Sequence, residues 1–258
     1  MDQRILDFTG IHNFRDYGGY PTRDGGRVKA GLLFRSGQHK DATNDDLGKV
    51  SALKLKTIID LRGDFERASF PCPRPEGHDA AVVFAPGETA GHAPHVEAAR
   101  EVETAADAQK AMVALYRSMP FRPILVATMR LYVDALATRD GPSLVHCLAG
   151  KDRTGLTVGL LHHVLGVARD DIMDDYLLTN VAGNIDARIA AGAEVVRSNF
   201  GAAMADDAVR TLMSVKAAYL DAAFSEIEAR HGNIDSYCAE ILGVTPTRRD
   251  ALRERLVA

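Results

Sequence analysis

The stretch SLVHCLAGKDRTGLTVGLLHHVLGV, residues 143–167, decides how the chain is read. SLVHC has the length and apolar run of a short buried strand, and GLTVGLLHHVLGV is apolar on all sides, as a helix enclosed in a core must be. A cysteine at the end of a buried strand is ordinarily inert filler. Between Cys147 and Arg153, however, lie only Leu148, Ala149, Gly150, Lys151 and Asp152, with a helix expected to begin near Thr154. That is room for one tight loop. If the loop curls, its successive N–H groups converge on the point faced by the positive end of the helix, a nest for a tetrahedral dianion. The same field stabilises negative sulfur, because thiols at helix N-termini near cations titrate at roughly 3.5 to 7.5. Arg153 can hold two phosphate oxygens bidentately, which leaves phosphorus in line with the sulfur of Cys147. The implied chemistry is phosphoryl transfer to cysteine, then hydrolysis.

Working outward, AGLLFRS, TNDDLGKVSAL, KTIIDLR and AAVVFAP, within residues 28–86, read as strand, helix, strand, strand. Thr43 before Asn44, Asp45 and Asp46 suits a helix start. Residues 87–107, rich in Ala, Gly, Pro, His and Glu, have no sustained apolar period and are expected to form an excursion or lid. Helical spacing resumes at Met112, Leu115, Tyr116 and Met119, and Pro120 and Pro123 divide that helix from ILVATMRLYVDALA. After residue 167 everything reads helical, in segments separated by Asn, Gly and Pro. With no repeat or linker, the expectation is an α/β fold over a single domain, residues 1–258, with a helical carboxy-terminal half.

Composition narrows the function. A net charge of -4 leaves no basic surplus of the kind that marks a nucleic-acid binder or a membrane-surface binder. No run approaches the about 18 apolar residues of a spanning helix, and the start MDQRILDFTG has no secretory pattern, so a cytoplasmic protein without membrane insertion is expected. Cys72, Cys147 and Cys238 stand far apart without a Cys-x-x-Cys pair, which suggests neither a disulfide framework nor a zinc ribbon. His162 and His163, adjacent on one helix, point about 100° apart and cannot share a metal as an i, i+4 pair can.

At HCLAGKDRTG the sequence resembles the cysteine-based phosphatase superfamily, whose signature is His-Cys, five residues, Arg, then Ser or Thr. Together with NFRDYGGY (13–20), LLFRSGQ (32–38), IIDLR (58–62) and the tail YLDAAFSEIEARHGNIDSYCAEILGV, it is similar to the atypical bacterial tyrosine and phosphoinositide phosphatases over nearly its full length. The resemblance implies a tyrosine-phosphatase-like fold with a central, mostly parallel sheet flanked by helices. It makes Cys147 the nucleophile, Arg153 the phosphate clamp, and the backbone of Leu148 to Arg153 the cradle. Thr154 would steady the thiolate as leaving group, and His146 would orient the loop without titrating. No metal or other cofactor is implied. The substrates implied are phosphorylated proteins, phosphotyrosine first, or phosphoinositides.

Lys151 resembles the extra cation that phosphoinositide phosphatases use against a second phosphate. The chain has no tryptophan, so the usual Trp-Pro-Asp acid loop is absent in that form. Asp152 is the first candidate for the general acid. Asp60, at a strand's carboxyl end and followed by Arg62, is the second, and Asp107 the third. An ion pair with Arg62 is the plainer reading of Asp60, and Arg15 and Arg35 read first as structural. Two rivals stand beside the phosphatase: a phospho-binding pseudophosphatase, and a rhodanese-type sulfurtransferase. A nucleotide P-loop fails, because it wants glycine at Val145 and Ser or Thr at Asp152. A reactive Cys147 also raises oxidation with Cys72 or Cys238 as resolving partner.

Overall fold

The computed structural model describes residues 2–89, 102–200 and 204–258. Its centre is a five-stranded sheet in the order β1-β2-β5-β3-β4, with β1 Arg15–Asp16, β2 Leu33–Ser36, β3 Thr57–Asp60, β4 Ala81–Val83 and β5 Ser143–His146. All neighbours are parallel except β1 against β2. The mostly parallel α/β sheet is therefore as expected. The strand that carries the cysteine is central: His146, its last residue, lies level with Ser36 on one side and Asp60 on the other.

Side chains alternate across the strands. Phe34, Ile58 and Leu144 face one cluster with Ile11, Phe14, Val50 and Leu55. Leu33, Ile59 and Val145 face the larger core. α1 (Asn44–Ala52) opens on a capping box, in which Thr43 accepts from the Asp46 N–H and Asp46 from the Thr43 N–H. α2 (Asp64–Ser69) follows β3 and is too short for periodicity to announce it. α3 (Ala105–Ser118) buries Met112, Leu115 and Tyr116. A 3₁₀ turn at Met119–Phe121 and Pro123 then begin α4 (Pro123–Thr138).

α5 (Asp152–Leu165) starts two residues earlier than the sequence predicts, and every residue but His163 is buried. After it come α6 (Arg169–Leu177), the short α7 (Thr179–Ala182), α8 (Ile185–Phe200), α9 (Asp206–Met213), α10 (Ala217–His231), α11 (Ile234–Glu240) and α12 (Pro246–Leu256); α6, α10, α11 and α12 pack against α5, while α9 packs against α3 and α8. DDAVRTLMSVKAAYLDAAFSEIEARHG, read as one helical segment, is two helices broken at Ser214. Residues 90–101 of the expected excursion lie outside the described residues. At its borders Thr89 and Val102 are buried and Ala105 to Asp107 already belong to α3. No helix among the described residues is long and apolar enough to cross a membrane.

Candidate active site

The loop between β5 and α5 is shaped by what its carbonyls bond to. The Leu148 carbonyl accepts from the Gln38 N–H at 2.9 Å. The Cys147 carbonyl accepts from His146 Nδ1 at 3.4 Å. Gly150's accepts from Asn13 Nδ2 at 2.6 Å and from Arg35 Nη2 at 3.1 Å. A trans peptide holds its N–H opposite its C=O. Each carbonyl drawn outward therefore turns the next N–H, those of Leu148, Ala149 and Lys151, toward the concave side. Among the described residues, the backbone N–H groups of Leu148 to Arg153 meet no protein acceptor. Buried N–H groups are rarely left so, and a run of them in one loop marks an anion site. Gly150 sits at φ +64, and a Cβ on it would lie 2.4 Å from the Ser36 carbonyl group, so only glycine permits this path.

Cys147 lies at the floor of this loop, 2% exposed. Arg153 approaches end-on to Glu66 of α2: Nη2 donates to Oε1 at 2.8 Å and Nη1 to Oε2 at 2.5 Å. Nη1 also donates to Thr89 Oγ1 at 2.7 Å and the Leu61 carbonyl at 3.3 Å. Nε meets no partner among the described residues. The guanidinium thus keeps its Nε edge free for a phosphate while its far end is clamped. Burial alone would push the Glu66 carboxyl up, but Arg153 more than offsets it and holds it below the usual range. Thr154 Oγ1 is likewise buried and without a partner. Glu66 was not singled out from the sequence; the only signal is its place at the third position of a helix opened by Gly63.

Asp152 is 2% exposed and accepts from the Tyr116 hydroxyl on α3 at 2.9 Å. Tyr176 of α6 in turn donates to Tyr116 at 2.8 Å. Gly155 makes room for this, because a Cβ there would come within 2.9 Å of the Tyr176 ring. Oδ1 is therefore committed to this bond.

Lys151 departs from the expectation of a free loop cation. It is 1% exposed, and Nζ donates to the carbonyls of Leu212, at 2.5 Å, and Ser214, at 3.3 Å, at the carboxyl end of α9, with Asp152 Oδ1 3.4 Å away. A cation there complements the negative end of the helix. Burial pulls its ammonium below the ordinary value, with Asp152 partly offsetting. Near the loop, Arg188 of α8 has its Nη1 buried without a partner among the described residues, and its charge acts on Asp152, Lys151 and His12.

Asp60, Arg62 and His146 lie behind the loop. Arg62 grips Asp60 through Nε and Nη2 at 2.9 and 2.8 Å. Burial would raise the Asp60 carboxyl, but His146 and Arg62 outweigh it and hold it well below the usual range, ionised and unable to donate. Burial holds His146 down to about 4, hence neutral, with its ring 5.6 Å from that of His39. Asp107 is the half-buried third residue of α3, bonded to the capping Thr104. His162 donates to the Tyr17 carbonyl and His163 bonds Asp235. Cys238 is wholly buried, its thiol pushed up to about 12 by burial, a poor resolving partner. Cys72 accepts from the His39 N–H at 3.2 Å. No group of three or more His, Cys, Asp or Glu among the described residues is arranged to hold a metal ion.

Comparison with known proteins gives the family. A tyrosine phosphatase family profile matches residues 6–258. A Cupriavidus necator protein provisionally assigned as a tyrosine-protein phosphatase is 34% identical over 242 residues, 93% of this chain and 84% of the relative. The triple specificity protein phosphatase PtpB of Mycobacterium tuberculosis is 29% identical over 264 residues, 90% of this chain and 92% of the relative. The crystal structure of P. aeruginosa TpbA is a remote likeness, with TM-score 0.30, 20% identity, and coverage of 73% of this chain and 89% of that one; nothing further rests on it. A loop of unpaired N–H groups around a buried cysteine, an arginine with one edge free, and a match along almost the whole chain lead to one assignment: the protein belongs to the tyrosine phosphatase family.

Proposed function

We propose that the chain is a single phosphatase domain that hydrolyses phosphomonoesters without a metal, through a phosphocysteine intermediate on Cys147, with phosphotyrosine the principal substrate. The observation that carries this reading is the run of backbone N–H groups from Leu148 to Arg153 without protein acceptors, set around one thiol. The anion fills the cradle, and the free Nε edge of Arg153 takes further phosphate oxygens. Sulfur of the Cys147 thiolate attacks phosphorus, the S–P bond forms and the P–O ester bond breaks. Oδ2 of Asp152 gives its proton to the departing oxygen. Water then attacks phosphorus, Asp152 takes the water's proton, the S–P bond breaks, and the Thr154 hydroxyl donates to the departing thiolate. Binding alone needs no thiol, so this arrangement favours an enzyme over a pseudophosphatase.

Breadth toward phosphoserine, phosphothreonine and phosphoinositides is part of the proposal, supported by the similarity to a phosphatase named for triple specificity. With Lys151 bonded to α9, the cation for a second phosphate is Arg188. The test is phosphate release in EDTA from a phosphotyrosine peptide and a phosphoinositide panel. Release that Cys147→Ser abolishes supports the mechanism, and Arg188→Ala should lower lipid turnover more than peptide turnover. Wild type that binds phosphate but releases none would leave a phospho-binding module; thiosulfate-to-cyanide activity would point to the sulfurtransferase.

A further inference from the structure

Behind the phosphate loop lies a buried polar cluster that the chemistry above does not use. Asp175 of α6 accepts from Arg15 Nε at 3.1 Å through Oδ1 and from Arg35 Nη1 at 2.6 Å through Oδ2. Arg15 also donates to the Asp175 carbonyl at 2.8 Å, to Thr179 Oγ1 at 3.1 Å, and to Asn13 Oδ1. Arg15 and Arg35 are 0% exposed, and Asn13 and Asp175 1%. Two cations against one carboxylate is an expensive arrangement to bury, and Asn13 stands at φ +59, unusual for a residue with a side chain. Such features persist where the surroundings hold them for a purpose. Their common endpoint is one atom: the Gly150 carbonyl oxygen receives Asn13 Nδ2 and Arg35 Nη2.

We infer that Asn13 is a positioning residue for phosphate binding, held by the Arg15–Asp175–Arg35 cluster so that it latches the Gly150 carbonyl outward. The Gly150–Lys151 peptide is planar and trans, so fixing its oxygen fixes the Lys151 N–H on the opposite side, toward the cradle. Gly150 at φ +64 is the loop residue freest to rotate, and with the Asn13 donor gone only the longer bond from Arg35, at 3.1 Å, holds this peptide against a flip that offers the anion an oxygen instead of a donor. The cluster also leaves one uncompensated positive charge behind the loop, which favours an anion in front. This rests on the phosphatase reading for its ligand, and on hydrogen bonds alone for its geometry.

The test compares Asn13→Asp and Asn13→Gly with wild type. Aspartate keeps the shape and the bond from Arg15 but loses the N–H; glycine accepts positive φ and also loses it. The readouts are the competitive inhibition constant of inorganic phosphate, and the ratio of Cys147 alkylation by iodoacetate to that by iodoacetamide. The ratio cancels thiol exposure and ionisation, and reports the pull of the loop on a carboxylate. A latch predicts an inhibition constant raised about tenfold and a ratio lowered similarly, the loss of about one hydrogen bond to an anion site. The inference is overturned if either folded variant keeps both values within twofold of wild type. Wild type without turnover or phosphate binding would instead remove the phosphatase reading itself.

Discussion

At the scale of single residues, the site separates into groups that meet the substrate and groups that hold them. Asp152 is the point at which the two meet, because Tyr116 commits one of its oxygens and the proposed chemistry uses the other. Replacing Asp152 by Asn keeps the shape and the bond from Tyr116 but removes the proton. Turnover of alkyl or peptide phosphoesters, whose leaving oxygens need protonation, should fall about 100-fold or more, and that of an activated nitroaryl phosphate less than tenfold. Steady-state rates on the two ester classes check this, and equal losses would move the acid elsewhere. Cys147, Arg153 and Thr154 could be found in the sequence because their relation is local, eight residues from end to end. Glu66, Tyr116 and Asn13 could not. Their bonds to the loop cross 87, 36 and 137 residues of chain, and no periodicity or spacing encodes a contact that only the closed sheet creates.

At the scale of elements, the legible parts were those whose pattern is long enough to repeat. β5 and α5 are an apolar run and an all-round apolar helix, and α3 carries its buried stripe at Met112, Leu115 and Tyr116. α2 has six residues and β1 two, below the length at which period 3.6 or 2 can be counted. Yet α2 supplies the clamp on Arg153. Lys151 shows the same gap between local and tertiary information: the sequence shows a charge in a loop, and the fold turns it into a tie to the carboxyl end of α9. Lys151→Met should leave those carbonyls without their donor and cost about 1–3 kcal/mol of stability. Hydrogen exchange over residues 206–214 should speed up, while turnover of a simple aryl phosphate falls less than tenfold. If stability and exchange are unchanged and only phosphoinositide turnover drops, the lysine serves a second phosphate after all.

At the scale of the whole molecule, several buried histidines and carboxylates around the sheet are held below their ordinary values. Burial holds His39 and His162 below their ordinary value and His146 at about 4, so all three are neutral when folded and take up protons more readily when unfolded. Such groups stabilise the fold fully above about pH 6.5 and lose that contribution as pH falls toward their folded values. Glu66 and Asp175, kept below the usual range by arginines, and Asp60, kept there by His146 and Arg62, all despite burial, add a second loss beginning near pH 4. Asp16, whose carboxyl burial pushes up, opposes this second loss in part. Unfolding free energy should therefore decline from about pH 6.5 and fall more steeply below about pH 4. His146 alone accounts for about 3 kcal/mol of that fall by pH 4, from its displacement to about 4 from the ordinary value near 6.5. Urea unfolding at pH 7.5, 5.5 and 4.5 measures the slope. His146→Gln, which can still donate to the Cys147 carbonyl but cannot titrate, should be less stable at pH 7.5 and lose less on acidification. If its slope equals that of wild type, the acid sensitivity comes from the carboxylates, and His146 is not the buried proton acceptor that its position between Asp60 and the loop makes it.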